Sequence, residues 1–192
     1  TLKATALTSE DVMAATFNVE LMTEVGKVVG NNCLAAEINV LYGPGNNTHR
    51  TPYGGRNFEY YSEDGFLAGT MSAYEVAAIE AKGVHVVMKH FALNDSEQDR
   101  IGLGVWLNEQ AAREVYLKAF QIPFEKGNAN GVMMAYTRWG CTWSGANYGL
   151  VTGIMRGEWG SNGKSITDNV LTTYGNGVDC VLAGTSIYDA SL

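Results

Sequence analysis

Cysteines and basic side chains are scarce in this sequence. Its three cysteines, Cys33, Cys141 and Cys180, are odd in number, and none lies in a C-x-x-C pair. We therefore expect three reduced, buried thiols rather than a disulfide framework or a zinc site. The net charge of −7 argues against a nucleic-acid partner, because such a partner requires a basic face on the protein.

Several sequence signatures are also missing. No apolar run is long enough to span a membrane, so no membrane partner is expected. The N-terminal TLKATALTSED has no signal-peptide hydrophobic region, which favours the cytoplasm, but the chain also lacks an initiator Met and its compartment stays open. The sequence contains no G-x-S-x-G elbow, no G-x-G-x-x-G loop and no metal-ligand spacing of histidines. It therefore predicts no nucleotide and no metal, and it does not support an α/β-hydrolase.

Apolar residues follow helical and strand-like patterns in turn along the 192-residue chain, of which 46% is hydrophobic and 17% charged. These values are typical of one globular domain, here 1–192. The spacing predicts helices over 9–30, 67–82, 108–126 and 145–158. It predicts strands over 38–45, 84–92, 131–139 and 164–169, and a strand-like run over 179–184 that follows a helix-like segment.

This order indicates a parallel α/β architecture with about five strands. A complete (β/α)8 barrel typically needs about 250 residues, so the sequence fits either an open doubly wound sheet or an incomplete barrel. In both architectures the carboxyl ends of the strands form the active face. Polar residues follow the predicted strands at these ends, namely Lys89 and His90, Tyr136 and Arg138, and Asp168 and Asn169.

The residue types at these strand ends suit recognition of a sugar. Arg56, Lys89 and His90 are hydrogen-bond donors, and the neighbouring loops are rich in aromatic side chains, whose faces suit a sugar ring. Asp168 can attack an anomeric carbon as a nucleophile. The alternatives are structural: Asp168 could cap a helix, and Lys89 and His90 could form a solvated strand end.

Other candidates have structural alternatives of the same kind. Arg56 could brace its own loop by pairing with Glu59 or Asp64. Tyr136 could belong to the core, as aromatic residues at strand ends often do. Met133 is either ordinary strand packing or part of the wall of the sugar pocket.

Four stretches, in order along the chain, resemble glycoside hydrolase family 3, the group of many β-glucosidases and β-xylosidases. They are LYGPGNNTHRTPYGGRNFEYYSED (41–64), KHFALND (89–95), GVMMAYTRWG (131–140) and LVTGIMRGEWGSNGKSITDN (150–169). The first is similar to the family's loop with a sugar-binding Arg, and the second to its Lys-His segment. The third is similar to the strand whose Tyr lies beside the nucleophile, and the fourth ends at the nucleophilic Asp.

The resemblance implies a (β/α)8-type barrel and a retaining exo-β-glycosidase that hydrolyses terminal β-linked sugars of oligosaccharides or β-glycosides without a cofactor. By position, Asp168 would form the glycosyl-enzyme. Arg56, Lys89 and His90 would bind hydroxyls of the transferred sugar, and Tyr136 would support the nucleophile. Met133 would line the pocket.

The sequence also departs from the family. Thr167-Asp168-Asn169 stands where members often have Ser-Asp-Trp. The Asp-Gly-Pro segment of the first barrel strand and the sandwich domain that carries the acid/base Glu have no counterpart. The loop ALNDSEQDR lacks the His of the β-N-acetylglucosaminidase branch, which is therefore disfavoured.

We therefore expect an incomplete barrel of about five to six βα units. Its activity alone should be weak, and its partner would be another domain or chain of the same enzyme, or a second copy. The alternative function is a non-catalytic saccharide-binding or assembly fragment.

Overall fold

A four-stranded parallel sheet organises the chain in the computed structural model, which describes residues 4–169 and 177–189. Its strands are β1 (Val40–Gly45), β2 (His85–Phe91), β4 (Gly131–Met134) and β7 (Lys164–Thr167). They lie side by side in chain order, β1-β2-β4-β7. Ile187 forms a further parallel bridge with Ile166 of β7. Within the described residues the main sheet thus has four strands, and the Ile187 bridge extends it at β7, where the pattern predicted about five strands.

Helices alternate with the strands along the chain, and polar side chains cap the N-termini of several of them. The helices are α1 (Glu10–Ala14), α2 (Val19–Ala35), α3 (Gly65–Glu80), α4 (Glu109–Ala111), α5 (Lys118–Lys126) and α6 (Gly177–Ala183). Wider π-helical turns occupy Ala112–Tyr116 and Gly149–Glu158. The Asn18 side chain caps α2 by accepting from the Leu21 N–H at 2.9 Å. The Asp64 side chain caps α3 in the same way, accepting from the Phe66 N–H at 2.9 Å.

A second, small sheet lies beyond the ends of the main strands. It consists of β3 (Gly104–Val105), β5 (Arg138–Trp139) and β6 (Thr142–Trp143), in the order β3-β5-β6. The predicted strand over 131–139 was therefore too long, because β4 ends at Met134 and the chain re-forms as a strand of the second sheet at Arg138. Arg138 consequently belongs to this second sheet and not to the end of a main strand.

The two faces of the main sheet have different surroundings. Val86 and Met88 of β2 and Val132 and Met134 of β4 are fully buried in the large core between the strands and the helices. The helices contribute buried residues that include Val76, Ile79, Leu117, Phe120, Leu150 and Ile154. On the other face, Val87, Met133 and Ile166 form a separate small cluster. Because alternate residues of a strand point to opposite faces, this second face corresponds to the inside of a barrel.

Three further predictions from the pattern were wrong. The helix over 9–30 is divided into α1 and α2, with a turn in which Phe17 has a positive φ of 52°. The run over 179–184 is helical, within α6, because a short apolar run does not distinguish a strand from a buried helix. Cys141 is exposed, whereas Cys33 and Cys180 are buried as expected, and all three thiols are free. The helix-like segment expected before 179 lies mostly outside the described residues.

No helix within the described ranges is long and apolar enough to cross a membrane.

Candidate active site

The carboxyl ends of the main strands carry most of the residues that the sequence singled out. Lys89 and His90 lie near the end of β2, and Asp168 follows β7 directly. Arg56 lies in the long loop after β1 and joins them through ion pairs described below. We refer to Arg56, Glu59, Lys89, His90 and Asp168 as the polar cluster.

His90 and Asp168 face each other across the sheet. His90 Nε2 lies 3.8 Å from Asp168 Oδ2. Burial lowers the pKa of His90 to about 2, and the positive charges of Arg56, Lys89 and Arg100 act in the same direction. The imidazole is therefore neutral at ordinary pH, so its approach to Asp168 is a polar contact and not an ion pair.

The Asn47 side chain clamps the backbone of His90. Its Nδ2 donates to the His90 carbonyl at 2.9 Å, and its Oδ1 accepts from the His90 N–H at 2.8 Å. Asn47 is itself buried, with 1% of its surface exposed, so its amide satisfies both backbone groups where water does not reach them. The loop after β1 therefore fixes the position of His90.

One carboxylate holds both cations of the polar cluster. The Arg56 guanidinium donates to Glu59 Oε1, and Lys89 Nζ lies 3.1 Å from Glu59 Oε2. Burial alone would raise the pKa of Glu59, but the hydrogen bond from Arg56 and the charge of Lys89 lower it overall. The brace between Arg56 and Glu59 that the sequence offered as an alternative is thus present, and it includes Lys89.

Tyr136 lies on the other side of Asp168. Its hydroxyl donates to the carbonyl oxygen of Asn169 at 2.6 Å, which is the residue after the candidate nucleophile. The Asn169 N–H in turn donates to Asp168 Oδ1 at 2.7 Å. The guanidinium carbon of Arg100 lies 4.8 Å from the centre of the Tyr136 ring, at a distance where a cation–π contact is favourable.

Met133 lies below the polar cluster. It pairs with Lys89 in the register of β2 and β4, and it packs with Val87 and Ile166 on the inner face of the sheet. With 6% of its surface exposed, it contributes to an apolar floor on the inner face of the sheet, next to the charged groups.

Several residues near the polar cluster were missed by the sequence analysis. Tyr60 and Asn94 are buried and connect His90 to the ion pair between Glu97 and Arg100. They lie in the loops that follow β1 and β2, at 46–64 and 92–103. No spacing rule distinguishes them from their neighbours, because their partners come from distant parts of the chain.

A pair of buried carboxyl groups lies beside the polar cluster. Glu10 of α1 and Glu75 of α3 line a cavity of about 330 Å³ that also reaches Glu59 and Lys89. The Tyr61 hydroxyl donates to Glu75 Oε2 at 2.6 Å. Burial raises the pKa of Glu75 to about 7, and burial and the neighbouring Glu75 raise that of Glu10.

Within 4–169 and 177–189, no group of three or more His, Cys, Asp or Glu side chains is arranged to hold a metal ion.

Comparison with known proteins gives a consistent result. The family described as Glycosyl hydrolase family 3 N terminal domain matches residues 1–183. A β-glucosidase from Ruminococcus albus is 42% identical over 166 residues, which is 86% of this chain and 18% of that protein. An exo-α-(1→6)-L-arabinopyranosidase from Bifidobacterium longum is 36% identical over 156 residues, which is 81% of this chain and 21% of that protein.

The solved structures extend the match to the fold. The structure of β-glucosidase 3B from Thermotoga neapolitana in complex with α-D-glucose superposes with a TM-score of 0.94 at 36% sequence identity. The match covers 98% of this chain and 26% of that one. An incomplete barrel of the TIM type is thus confirmed, and the chain belongs to glycosyl hydrolase family 3. It spans about a fifth of the length of the curated relatives it matches.

Proposed function

We propose that this chain forms most of the sugar-binding and catalytic centre of a retaining exo-β-glycosidase of the β-glucosidase type. The observation that carries the proposal is the 3.8 Å approach of His90 to Asp168 at the strand ends where Glu59 also holds Arg56 and Lys89. A carboxylate beside several fixed donors is what attack on the anomeric carbon of a sugar requires. Membership in family 3 supports the same chemistry.

In the proposed mechanism Asp168 attacks the anomeric carbon of a terminal β-linked sugar. A bond forms between Asp168 and that carbon as the glycosidic bond breaks, and the leaving oxygen takes a proton from a general acid. Water, deprotonated by the same group, then attacks the glycosyl–Asp168 ester and releases the sugar. No cofactor is needed for either step.

The other residues of the site have supporting roles in this proposal. Arg56, Lys89 and His90 donate hydrogen bonds to hydroxyls of the transferred sugar. Tyr136 holds the backbone next to the nucleophile through the Asn169 carbonyl. Met133 forms the apolar floor under the ring, where it packs with neighbouring strands.

The general acid of the proposed mechanism comes from outside residues 1–192, which we propose form one domain. Glu59 is ion-paired with Arg56 and Lys89, which lower its pKa, and is therefore a poor proton donor. Glu10 and Glu75 have raised pKa values, but they line the cavity beside Glu59 and Lys89, and that lining does not include Asp168. General acid–base assistance contributes roughly 10²–10⁴-fold, so the chain alone should turn over natural substrates slowly. Its partner would be another domain or chain of the same enzyme, or a second copy.

A second candidate function is a saccharide-binding or assembly fragment without turnover. The observation that favours it is the ion pairing of Glu59 with Arg56 and Lys89, which lowers the pKa of that carboxyl and makes it a poor proton donor. In that case Arg56, Lys89 and His90 would bind a sugar and Asp168 would act as a hydrogen-bond acceptor only.

The test is covalent labelling with a 2-deoxy-2-fluoro glucosyl donor that has a good leaving group, because such a donor needs little acid assistance. We expect the intact mass of the chain to increase by one sugar, located on the peptide that contains Asp168. The Asp168→Asn variant should remain unlabelled, whereas Asp179→Asn, which changes a carboxylate on α6, should be labelled as the wild type is. A folded wild-type chain that stays unlabelled would favour the binding fragment.

A further inference from the structure

We propose that Tyr60 is a positioning residue that fixes His90 as the neutral imidazole with its proton on Nε2, so that this N–H points toward Asp168 and any sugar bound there. The use of this N–H in sugar binding rests on the proposed function, but the position of the proton on Nε2 does not. It follows from a chain of hydrogen bonds whose donors and acceptors can be assigned one after another.

The series of hydrogen bonds starts at an ion pair in the loop after β2. Arg100 Nη1 lies 2.9 Å from Glu97 Oε2. The other oxygen, Glu97 Oε1, lies 2.9 Å from Asn94 Nδ2. A carboxylate only accepts hydrogen bonds, so the Asn94 amide must present its NH₂ group to Glu97 and not its oxygen. The orientation of Asn94, which is 1% exposed, is thereby determined.

The next link is the Tyr60 hydroxyl. The same Asn94 NH₂ group lies 3.3 Å from the Tyr60 oxygen and donates its second hydrogen there. The Tyr60 oxygen therefore accepts from Asn94, and its single hydrogen remains for the other neighbour. That neighbour is His90 Nδ1, at 3.1 Å. Burial raises the pKa of Tyr60, so the phenol keeps this hydrogen at any ordinary pH.

The state of His90 follows from these contacts. A neutral imidazole has one protonated and one bare nitrogen, and the hydrogen bond made by one nitrogen determines the other. Because Nδ1 accepts from Tyr60, the proton must be on Nε2. The clamp by Asn47 fixes the backbone of His90, and the Tyr60 ring packs edge-on against the imidazole, with the ring centres 6.3 Å apart.

This assignment gives His90 a directed role. Nε2 lies 3.8 Å from Asp168 Oδ2, which is too long for a hydrogen bond. Its N–H therefore remains available to a sugar hydroxyl placed between the two residues, and that hydroxyl must accept from His90. It could in turn donate to Asp168. His90 would thus bind substrate in one protonation state and take no part in proton transfer.

The test is two-dimensional ¹H–¹⁵N correlation of the imidazole rings of the folded, ¹⁵N-labelled chain. The chain has three histidines, and a His90→Gln variant assigns the signals of His90 by their loss. Protonated and bare ring nitrogens resonate far apart, so the spectrum reports the tautomer directly. We expect His90 to have a protonated Nε2 and a bare Nδ1 from about pH 5 to about pH 8, across the range where an ordinary His titrates.

Variants then test the part played by Tyr60. Tyr60→Phe removes the hydroxyl and should convert His90 to a mixture of tautomers. Tyr61→Phe removes the neighbouring hydroxyl, which donates to Glu75, and should leave His90 unchanged. His49 is an internal reference, because its Nε2 lies 2.9 Å from the Tyr60 backbone carbonyl and so needs no Tyr60 hydroxyl.

Two results would overturn the proposal. One is a wild-type His90 with its proton on Nδ1, or with both nitrogens protonated, a result that stands even where a variant fails to fold. The other is an unchanged Nε2 tautomer in folded Tyr60→Phe. Neither measurement needs turnover, so the labelling of Asp168 and the tautomer of His90 can fail independently of each other.

Discussion

Replacing Glu75 by Gln tests the buried carboxyl pair beside the polar cluster. Burial raises the pKa of Glu75 from its ordinary value of 4.5 to about 7. The folded chain therefore binds more protons than the unfolded chain between these two values. By linkage, the stabilisation from protonated Glu75 is fully present below about pH 4.5 and is lost as the pH rises through about 7.

The magnitude follows from the two values. They differ by about 2.5, and each pKa unit corresponds to about 1.4 kcal/mol. The wild-type chain should thus lose up to about 3 kcal/mol from this one group as the pH rises. Glu75→Gln cannot ionise, yet its amide oxygen can still accept the Tyr61 hydroxyl, which donates to Glu75 Oε2 at 2.6 Å. The variant should therefore gain stability relative to the wild type as the pH rises.

Urea unfolding at about pH 5 and at about pH 8 measures this difference. Asp95, whose pKa burial raises to about 7, is present in both proteins and cancels in the comparison. Glu10 does not cancel in full, because the Glu75 charge contributes to raising its pKa, so the difference reports the titration of the Glu10–Glu75 pair. Glu125→Gln removes an exposed carboxylate of α5 and should unfold like the wild type at both pH values. If Glu75→Gln and the wild type lose the same stability between the two pH values, Glu75 is already ionised in the folded chain and the reasoning fails.

Two further substitution pairs test the polar cluster and the helix packing. Glu59→Gln weakens the hold on both cations, and we expect glucose affinity to fall about tenfold. The exposed Glu63→Gln should leave it unchanged, and equal affinities by titration calorimetry would remove Glu59 from the site. Gly26→Ala would place a Cβ 2.4 Å from a carbonyl oxygen of α3 and should cost about 2 kcal/mol. In Gly153→Ala the nearest atom to the added Cβ lies at 3.8 Å, so this variant should instead stabilise the folded chain by about 0.5–1 kcal/mol. Thermal unfolding compares the two variants. Similar shifts of their melting temperatures would contradict the packing argument.

The strand ends were predictable from the sequence because two signals coincide there. The apolar run Val86–Met88 of β2 is followed by Lys89 and His90, and Asp168 follows β7 directly. Parallel strands bring such positions to one edge of a sheet regardless of how the helices pack. The pattern therefore located the candidate site without any knowledge of loop conformation.

The contacts made by the loops were not predictable in the same way. Tyr60 reaches His90 from thirty positions away, and Asn94 reaches Tyr60 from thirty-four. Such contacts depend on the conformations of two long loops, which follow no periodic pattern. The prediction of one helix over 9–30 was wrong for a different reason. The helical spacing of apolar residues continues through the turn between α1 and α2, so the spacing does not show that the helix is interrupted.

The carboxylate shared by Arg56 and Lys89 has a consequence for the choice of substrate. Counted by formal charge, Arg56 and Lys89 balance Glu59 and Asp168, so the polar cluster has no net charge. An uncharged sugar therefore leaves this balance intact when it binds. A sugar acid or an amino sugar would bring in a charge with no counterion of its own in the polar cluster, and would lose its hydration without full compensation. Under the proposed function, charge neutrality would therefore favour neutral sugars, independently of how their hydroxyl groups are arranged.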